Sequence, residues 1–195
     1  MTIIYLHGFQ SDGQGSKYQA LKSHFKNTDI QSPDLSANPN EVKTQINDLL
    51  NQLKERGEEV LLMGTSLGGF YSLYFSAIHQ LKAVIINPSL EPYETLERGV
   101  GQHQTYKKGR PYHFKQEYLE DLRQMKSAFG KLNHAGLYFF LSTDDELLDH
   151  SAVAEEFSDA AHLSWWDDSG HRFMRFEELL VEIDRKLVTY THTYI

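Results

Sequence analysis

Five short runs of apolar, β-favouring residues punctuate the chain: Ile3–Leu6, Val60–Met63, Ala83–Ile86, Leu137–Leu141 and His162–Trp166. The first four are almost continuously apolar, the pattern of parallel strands covered by helices on both faces. In the fifth, His162-Leu163-Ser164-Trp165-Trp166, polar and apolar residues alternate, which predicts a strand nearer the sheet edge. A further short strand is expected around Ile30, ahead of Pro33. Helical patterns fill the intervals, over Lys17–Phe25, Asn40–Lys54, Leu67–Ile78, Ala152–Phe157 and Phe173–Val188. In the second of these, Val42, Ile46, Leu49, Leu50 and Leu53 share one face, and Gly57 stands where a helix stops. Strand and helix therefore alternate, which predicts a three-layer α/β/α sandwich around a mostly parallel sheet.

One stretch interrupts the rhythm. Residues 91–134 contain no convincing strand and one helical segment, near Glu117–Phe129. They read as a helical and loop insertion before the fifth predicted element, a lid or cap within a single domain spanning residues 1–195. Connections this long are usually functional or disordered.

Composition narrows the function. The formal net charge of −8 argues against a nucleic-acid surface, because no basic patch would neutralise phosphates. The one basic cluster, Lys107-Lys108-x-Arg110, reads as a solvated loop. With no cysteine, disulfides, thiolate zinc sites and a cysteine nucleophile are excluded. Thr2–Leu6 is too short for the apolar region of a signal peptide and lacks basic flanks. No apolar run approaches the roughly 20 residues that span a bilayer. A cytoplasmic protein is expected.

The chemistry is concentrated at Gly64-Thr65-Ser66-Leu67-Gly68, which follows an apolar strand and precedes a helical pattern. Strand, Gly-x-Ser-x-Gly and helix together are the arrangement that holds a serine hydroxyl clear of a sheet on a strained turn. A serine hydroxyl needs a base to take its proton, and the base needs an orienting acid. Both follow in chain order: Ser142-Thr143-Asp144-Asp145-Glu146-Leu147-Leu148-Asp149 after the fourth run, and Asp167-Asp168-Ser169-Gly170-His171 after the last. These residues alone leave Asp144 and Asp145 both open as the acid. Glu146 and Asp149 read as charges favouring the first turn of the next helix. Among ten histidines, His171 is singled out by its loop after the last strand. His24, His79, His134, His162 and His192 have no such setting and are expected to be structural or exposed. His103 and His113 fall in the insertion, where they would line a mouth; no third ligand at metal spacing accompanies them.

These motifs resemble the α/β-hydrolases, and specifically the small bacterial YqiA/YcfP-type esterases. The resemblance rests on Tyr5-Leu6-His7-Gly8-Phe9, Gly64-Thr65-Ser66-Leu67-Gly68-Gly69-Phe70-Tyr71, Asn87-Pro88, Asp145-Glu146-Leu147-Leu148-Asp149 and Gly170-His171-x-Phe173. It covers nearly the whole chain. It implies Ser66 as nucleophile, His171 as general base and Asp145 as orienting acid. The superfamily often reads Gly-x-x-Asp at that strand end, and Ser142 in the glycine position selects Asp145. An oxyanion needs preorganised donors: the Leu67 amide, and by resemblance the amide of Phe9. His7 is expected to be a buried scaffold residue beside the pocket.

The implied activity is hydrolysis of a small-molecule carboxylic ester or thioester through an acyl-enzyme, with no cofactor and no metal. The alternative is a non-catalytic binding or regulatory protein of the same fold. Tyr93, Tyr106, Tyr112, Phe114 and Tyr118 are candidate pocket lining. Gly13-x-Gly15-Ser16-Lys17 superficially resembles a phosphate loop but lacks its Gly-Lys-Ser/Thr ending and a strand leading into it. Asp144, Asp145, Glu146, Asp149, Asp167 and Asp168 predict an acidic rim that would repel anionic substrates.

Overall fold

A computed structural model of the chain describes residues 1–188, so His192 lies outside the described residues. The chain begins β1 (Thr2–Leu6), α1 (Ser16–His24), β2 (Asp29–Gln31), α2 (Pro39–Glu55), β3 (Val60–Thr65), α3 (Leu67–His79) and β4 (Lys82–Ile86). The insertion follows: α4 (Pro92–Thr95), the strands β5 (Gly101–Gln104) and β6 (Pro111–Phe114), and α5 (Glu117–Lys126). The chain continues with β7 (Leu137–Ser142), α6 (Ser151–Glu156), β8 (His162–Trp166) and α7 (Phe176–Ile183).

Six parallel strands form one sheet in the order β2-β1-β3-β4-β7-β8. Alternate residues along each strand feed two cores. Ile4, Leu62, Ile85 and Phe139 face α2, α3 and α5, whereas Ile3, Leu61, Val84 and Phe140 face α1 and α7. Burial on both faces explains the unbroken apolar runs and produces the three expected layers. The alternating strand β8 lies at an edge, as does the short strand around Ile30. No helix among the described residues is long and apolar enough to cross a membrane.

Local signals set the helix limits. Asn38 caps α2 by accepting from the Asn40 amide at 2.9 Å, with Pro39 in the first turn. Gly57 follows the end of the same helix at φ +70°. Near the carboxyl terminus the structure departs from the sequence pattern. The last α-helix starts at Phe176 rather than Phe173, because the preceding residues form a turn in which Phe173 has φ +53° and its amide bonds Gly170.

The insertion holds two strands that periodicity did not predict. β5 and β6 pair antiparallel, with Gly101 opposite Phe114 and Gln104 opposite Pro111. The hairpin is held by packing: the ring of Phe9 lies edge-on to Tyr112 and Phe114, with centroids 5.4 and 5.3 Å away. Its turn is tied to the loop after β1 by Asp12, whose buried carboxylate accepts from the Lys107 and Lys108 amides and from Arg110 at 3.0 Å. Lys108 also pairs with Asp34 at 2.8 Å, so the basic cluster is a clasp rather than a solvated loop.

Candidate active site

The chain runs outward from β1 to β2 and then returns to the other side of β1 as β3, so a crevice opens at the carboxyl ends of β1 and β3. Ser66 stands there, between β3 and α3, at φ +57° and ψ −120°. That conformation is unfavourable for a residue with a side chain and needs a rigid surround. The glycines supply it. A Cβ on Gly68 would lie 1.9 Å from the Leu6 carbonyl oxygen, and one on Gly64 would lie 2.0 Å from that of Gly68. Strand β4 and helix α3 complete the hold: the Ser66 amide donates to the Ile86 carbonyl at 3.0 Å, and the Ser66 carbonyl accepts from the Gly69 amide at 2.9 Å.

The loops after β7 and β8 bring two more predicted residues to this serine. His171 Nε2 is 3.0 Å from Ser66 Oγ, and its Nδ1 is 2.9 and 3.0 Å from the two Asp145 oxygens. Asp145 also accepts from the Leu147 and Leu148 amides, each at 2.9 Å, and from His150 Nε2 at 2.8 Å. Burial works to raise the Asp145 pKa, but the hydrogen bonds from His150, His171 and Leu147 outweigh it. The carboxyl is held well below the usual range and is ionised at neutral pH.

The other acids of the loop do different work. Asp144 accepts from the Ser169 and Gly170 amides at 3.1 and 3.0 Å, and so positions the His171 loop from outside. Glu146 is not a helix-start charge, since α6 begins only at Ser151; its carboxylate accepts the His171 amide at 2.8 Å. Asp149 does stand at that helix start, accepting from the Ser151 amide at 2.9 Å. Asn87, at the end of β4, donates to the carbonyls of Gly170 and His171 at 2.9 and 3.2 Å and accepts from the Ser142 amide at 2.8 Å.

On the opposite side of Ser66, the Leu67 amide is the first of α3 and has no partner within the helix. The Gly8–Phe9 segment packs against the serine so closely that a Cβ on Gly8 would sit 3.4 Å from Ser66 Cβ. His7 orients this segment. Its buried ring accepts the Leu35 amide at Nε2 (2.9 Å), so Nδ1 carries the proton and donates to the Gly8 carbonyl (2.9 Å). Burial lowers the His7 pKa, which keeps the ring neutral.

A cavity of about 750 Å³ opens in front of Ser66 and His171. Of the aromatic residues expected to line it, only Tyr106 does; Phe9 lines it as well. Tyr112 and Phe114 pack under Phe9, Tyr118 lies edge-on to Phe114, and Tyr93 lies beneath the Arg123 guanidinium. These rings glue the hairpin and α5 to the body of the protein. His7 is buried behind the Gly8 loop and is likewise absent from the cavity wall. His103 packs on Phe9 and bonds the Gly99 carbonyl at 2.7 Å. Of the six acids expected at the rim, only Glu146 lines the cavity.

His150 is the site residue that sequence reasoning missed. Its only signal was a position five residues after Asp145, where the loop turns back. Among the described residues no cluster of three or more histidine, aspartate or glutamate side chains is arranged to hold a metal ion.

Comparison with known proteins agrees with this architecture. A model of the family described as "Uncharacterised protein family (UPF0227)" matches residues 2–186. The UPF0227 protein YcfP of Escherichia coli O9:H4 (strain HS) is 27% identical over 186 residues, covering 93% of this chain and 96% of the relative. Among solved structures, Est1E from Butyrivibrio proteoclasticus superposes with a TM-score of 0.72 at 15% identity, covering 97% of this chain and 87% of its own. Alpha/beta hydrolase domain-containing protein 10 from mouse gives 0.62 at 14% identity, covering 97% and 90%. The fold is that of the α/β-hydrolases.

Proposed function

The chain belongs to the UPF0227 family, and we propose that it is a serine hydrolase that cleaves carboxylic esters or thioesters through an acyl-enzyme. One observation carries this reading: a continuous hydrogen-bonded path from Ser66 Oγ through both nitrogens of His171 to a buried, ionised Asp145. His171 Nε2, unprotonated, takes the Ser66 proton as Oγ attacks the acyl carbonyl. Asp145 holds the Nδ1–H and stabilises the imidazolium that forms. The Leu67 and Phe9 amides receive the oxyanion. The imidazolium then protonates the leaving alcohol or thiol, and water releases the acid by the same steps.

In this reading residues 91–134 are a cap, contributing Thr95, Leu96, Tyr106 and Lys107 to the cavity wall. Hydrolysis of a p-nitrophenyl butyrate-type ester is the test. Ser66→Ala and His171→Ala should each lower kcat by at least about a thousandfold. A wild type that turns over no ester would favour the non-catalytic protein of this fold, and turnover that survives Ser66→Ala would remove Ser66 as the nucleophile.

A further inference from the structure

The cavity wall beside Ser66 carries three cations, none of them ion-paired to a carboxylate among the described residues. Lys17, Lys107 and Arg172 line it, together with Asp12 and Glu146. Both acids are already engaged, Asp12 by Arg110 and two amides, and Glu146 by the His171 amide. Among the described residues none of the three cations has an ion-pair partner. Lys17 Nζ donates to the Arg172 carbonyl and stands 5.4 Å from the centre of the Phe176 ring. Lys107 Nζ donates to the Gln14 carbonyl at 2.8 Å, and the Arg172 guanidinium lies 5.7 Å from the Tyr106 ring.

Lys17 is the least comfortable of the three. A lysine normally extends its ammonium into water. Here burial, with the nearby charge of Arg172, pulls its pKa from 10.5 down to about 8. The backbone leading to it is pinned. The Gly13 amide bonds Asp34 at 2.7 Å, and a Cβ on Gly13 would come within 2.3 Å of the Ser32 carbonyl. The Gly13-x-Gly15-Ser16-Lys17 segment, although no nucleotide-type loop, thus delivers a cation to the cavity.

We propose that this wall is an anion subsite, and that the ester cleaved at Ser66 carries an oxyanionic group, a carboxylate or a phosphate, received by Lys17 and Arg172. The proposal rests on the serine-hydrolase reading above and gives its substrate class. It reverses the expectation of repulsion by an acidic rim, because five of those six acids lie off the wall. If Lys17 merely tethered α1 to the Arg172 loop, its loss would affect neutral and anionic substrates alike.

Three aryl phosphonates that react with an active serine test this, identical except for a distal carboxylate, a phosphate or the methyl ester of the carboxylate. The rate of Ser66 labelling is followed by intact mass. A carboxylate or phosphate probe should label the wild type roughly ten- to a hundredfold faster than the neutral one, the range of a charge-assisted hydrogen bond. Whichever anion is faster identifies the group. Lys17→Met and Arg172→Gln should each bring the anionic-to-neutral ratio towards one, whereas Lys17→Arg keeps it. Because only the ratio within each variant is read, a general loss of fold does not mimic the effect, and the exposed Arg172 tests the subsite if Lys17→Met does not fold. Equal labelling by all three probes, or a ratio that survives both substitutions, overturns the subsite alone. No labelling by any probe would instead sink the hydrolase reading and the subsite with it.

Discussion

An alanine at position 68 would place its Cβ 1.9 Å from the Leu6 carbonyl oxygen, 2.5 Å from the Leu6 carbonyl carbon and 2.8 Å from the His7 oxygen. Every one of these atoms is backbone, so no side chain can rotate out of the way. An acceptable carbon–oxygen contact is about 3.3 Å, so α3 and β1 must part by about 1.4 Å. That movement pulls the Leu67 amide and Ser66 away from the Gly8–Phe9 loop. Overpacking against a rigid neighbour costs roughly 1–3 kcal/mol, equivalent to a fall in Tm of roughly 2–12 °C for a chain of this size. Misplacement by 1 Å in a site of this kind costs about a hundredfold in rate. Gly68→Ala should therefore lose about a hundredfold in kcat/KM while it still folds at room temperature. Gly130→Ala, with nothing within 4 Å of the added Cβ, serves as the control. Melting curves and ester hydrolysis on the same preparations read both effects. A Gly68→Ala protein with at least half the wild-type kcat/KM and an unchanged Tm would refute the claim that this close approach sets the serine's position.

Three further outcomes follow from the hydrogen bonds and charges. His150→Phe keeps the buried volume but removes a donor from the Asp145 carboxylate, so at pH 7 it should cost about 1.5–3 kcal/mol of stability; an unaltered denaturation midpoint would show that His150 is a bystander. Burial raises the Asp12 pKa, but hydrogen bonds from Arg110, Thr105 and the Lys107 and Lys108 amides more than offset it and hold it below its ordinary value. Its stabilisation is then present above the unfolded pKa of about 3.9 and lost as the pH falls through the folded value. The Tm gap between wild type and Asp12→Asn should accordingly narrow from pH 7 to pH 3, and a constant gap would contradict the clasp. Lys17, with its pKa lowered to about 8, destabilises the native state below that pH, and the penalty fades as the pH rises towards 10.5. Lys17→Met should melt higher than wild type at pH 7, with the difference shrinking by pH 10; a variant that melts lower at pH 7 would argue against a desolvated cation.

The readable and unreadable parts of the sequence differ for physical reasons. Strands of the central sheet are covered on both faces, so Ile3–Leu6 or Ala83–Ile86 is apolar at every position and stands out. Ser66 and Asp145 were legible because each follows such a strand, and His171 because it follows the alternating edge strand β8; all three land at the same end of the sheet. The hairpin was not. Gly101-Gln102-His103-Gln104 contains no β-favouring residue, and what holds it is Phe9 on Tyr112 and Phe114, about a hundred residues apart in sequence. The same packing explains why aromatic residues expected in the pocket are glue instead. His150 escaped notice because an unpatterned loop folds it back onto Asp145. The cations on the cavity wall come from three separate segments, which only the fold brings together.

Peptide mapping after exposure to a fluorophosphonate identifies the nucleophile. One adduct is expected, on the peptide carrying Ser66, absent in Ser66→Ala and formed far more slowly in His171→Ala. A wild-type protein that stays unlabelled, or an adduct that persists at another residue when Ser66 is alanine, would contradict it.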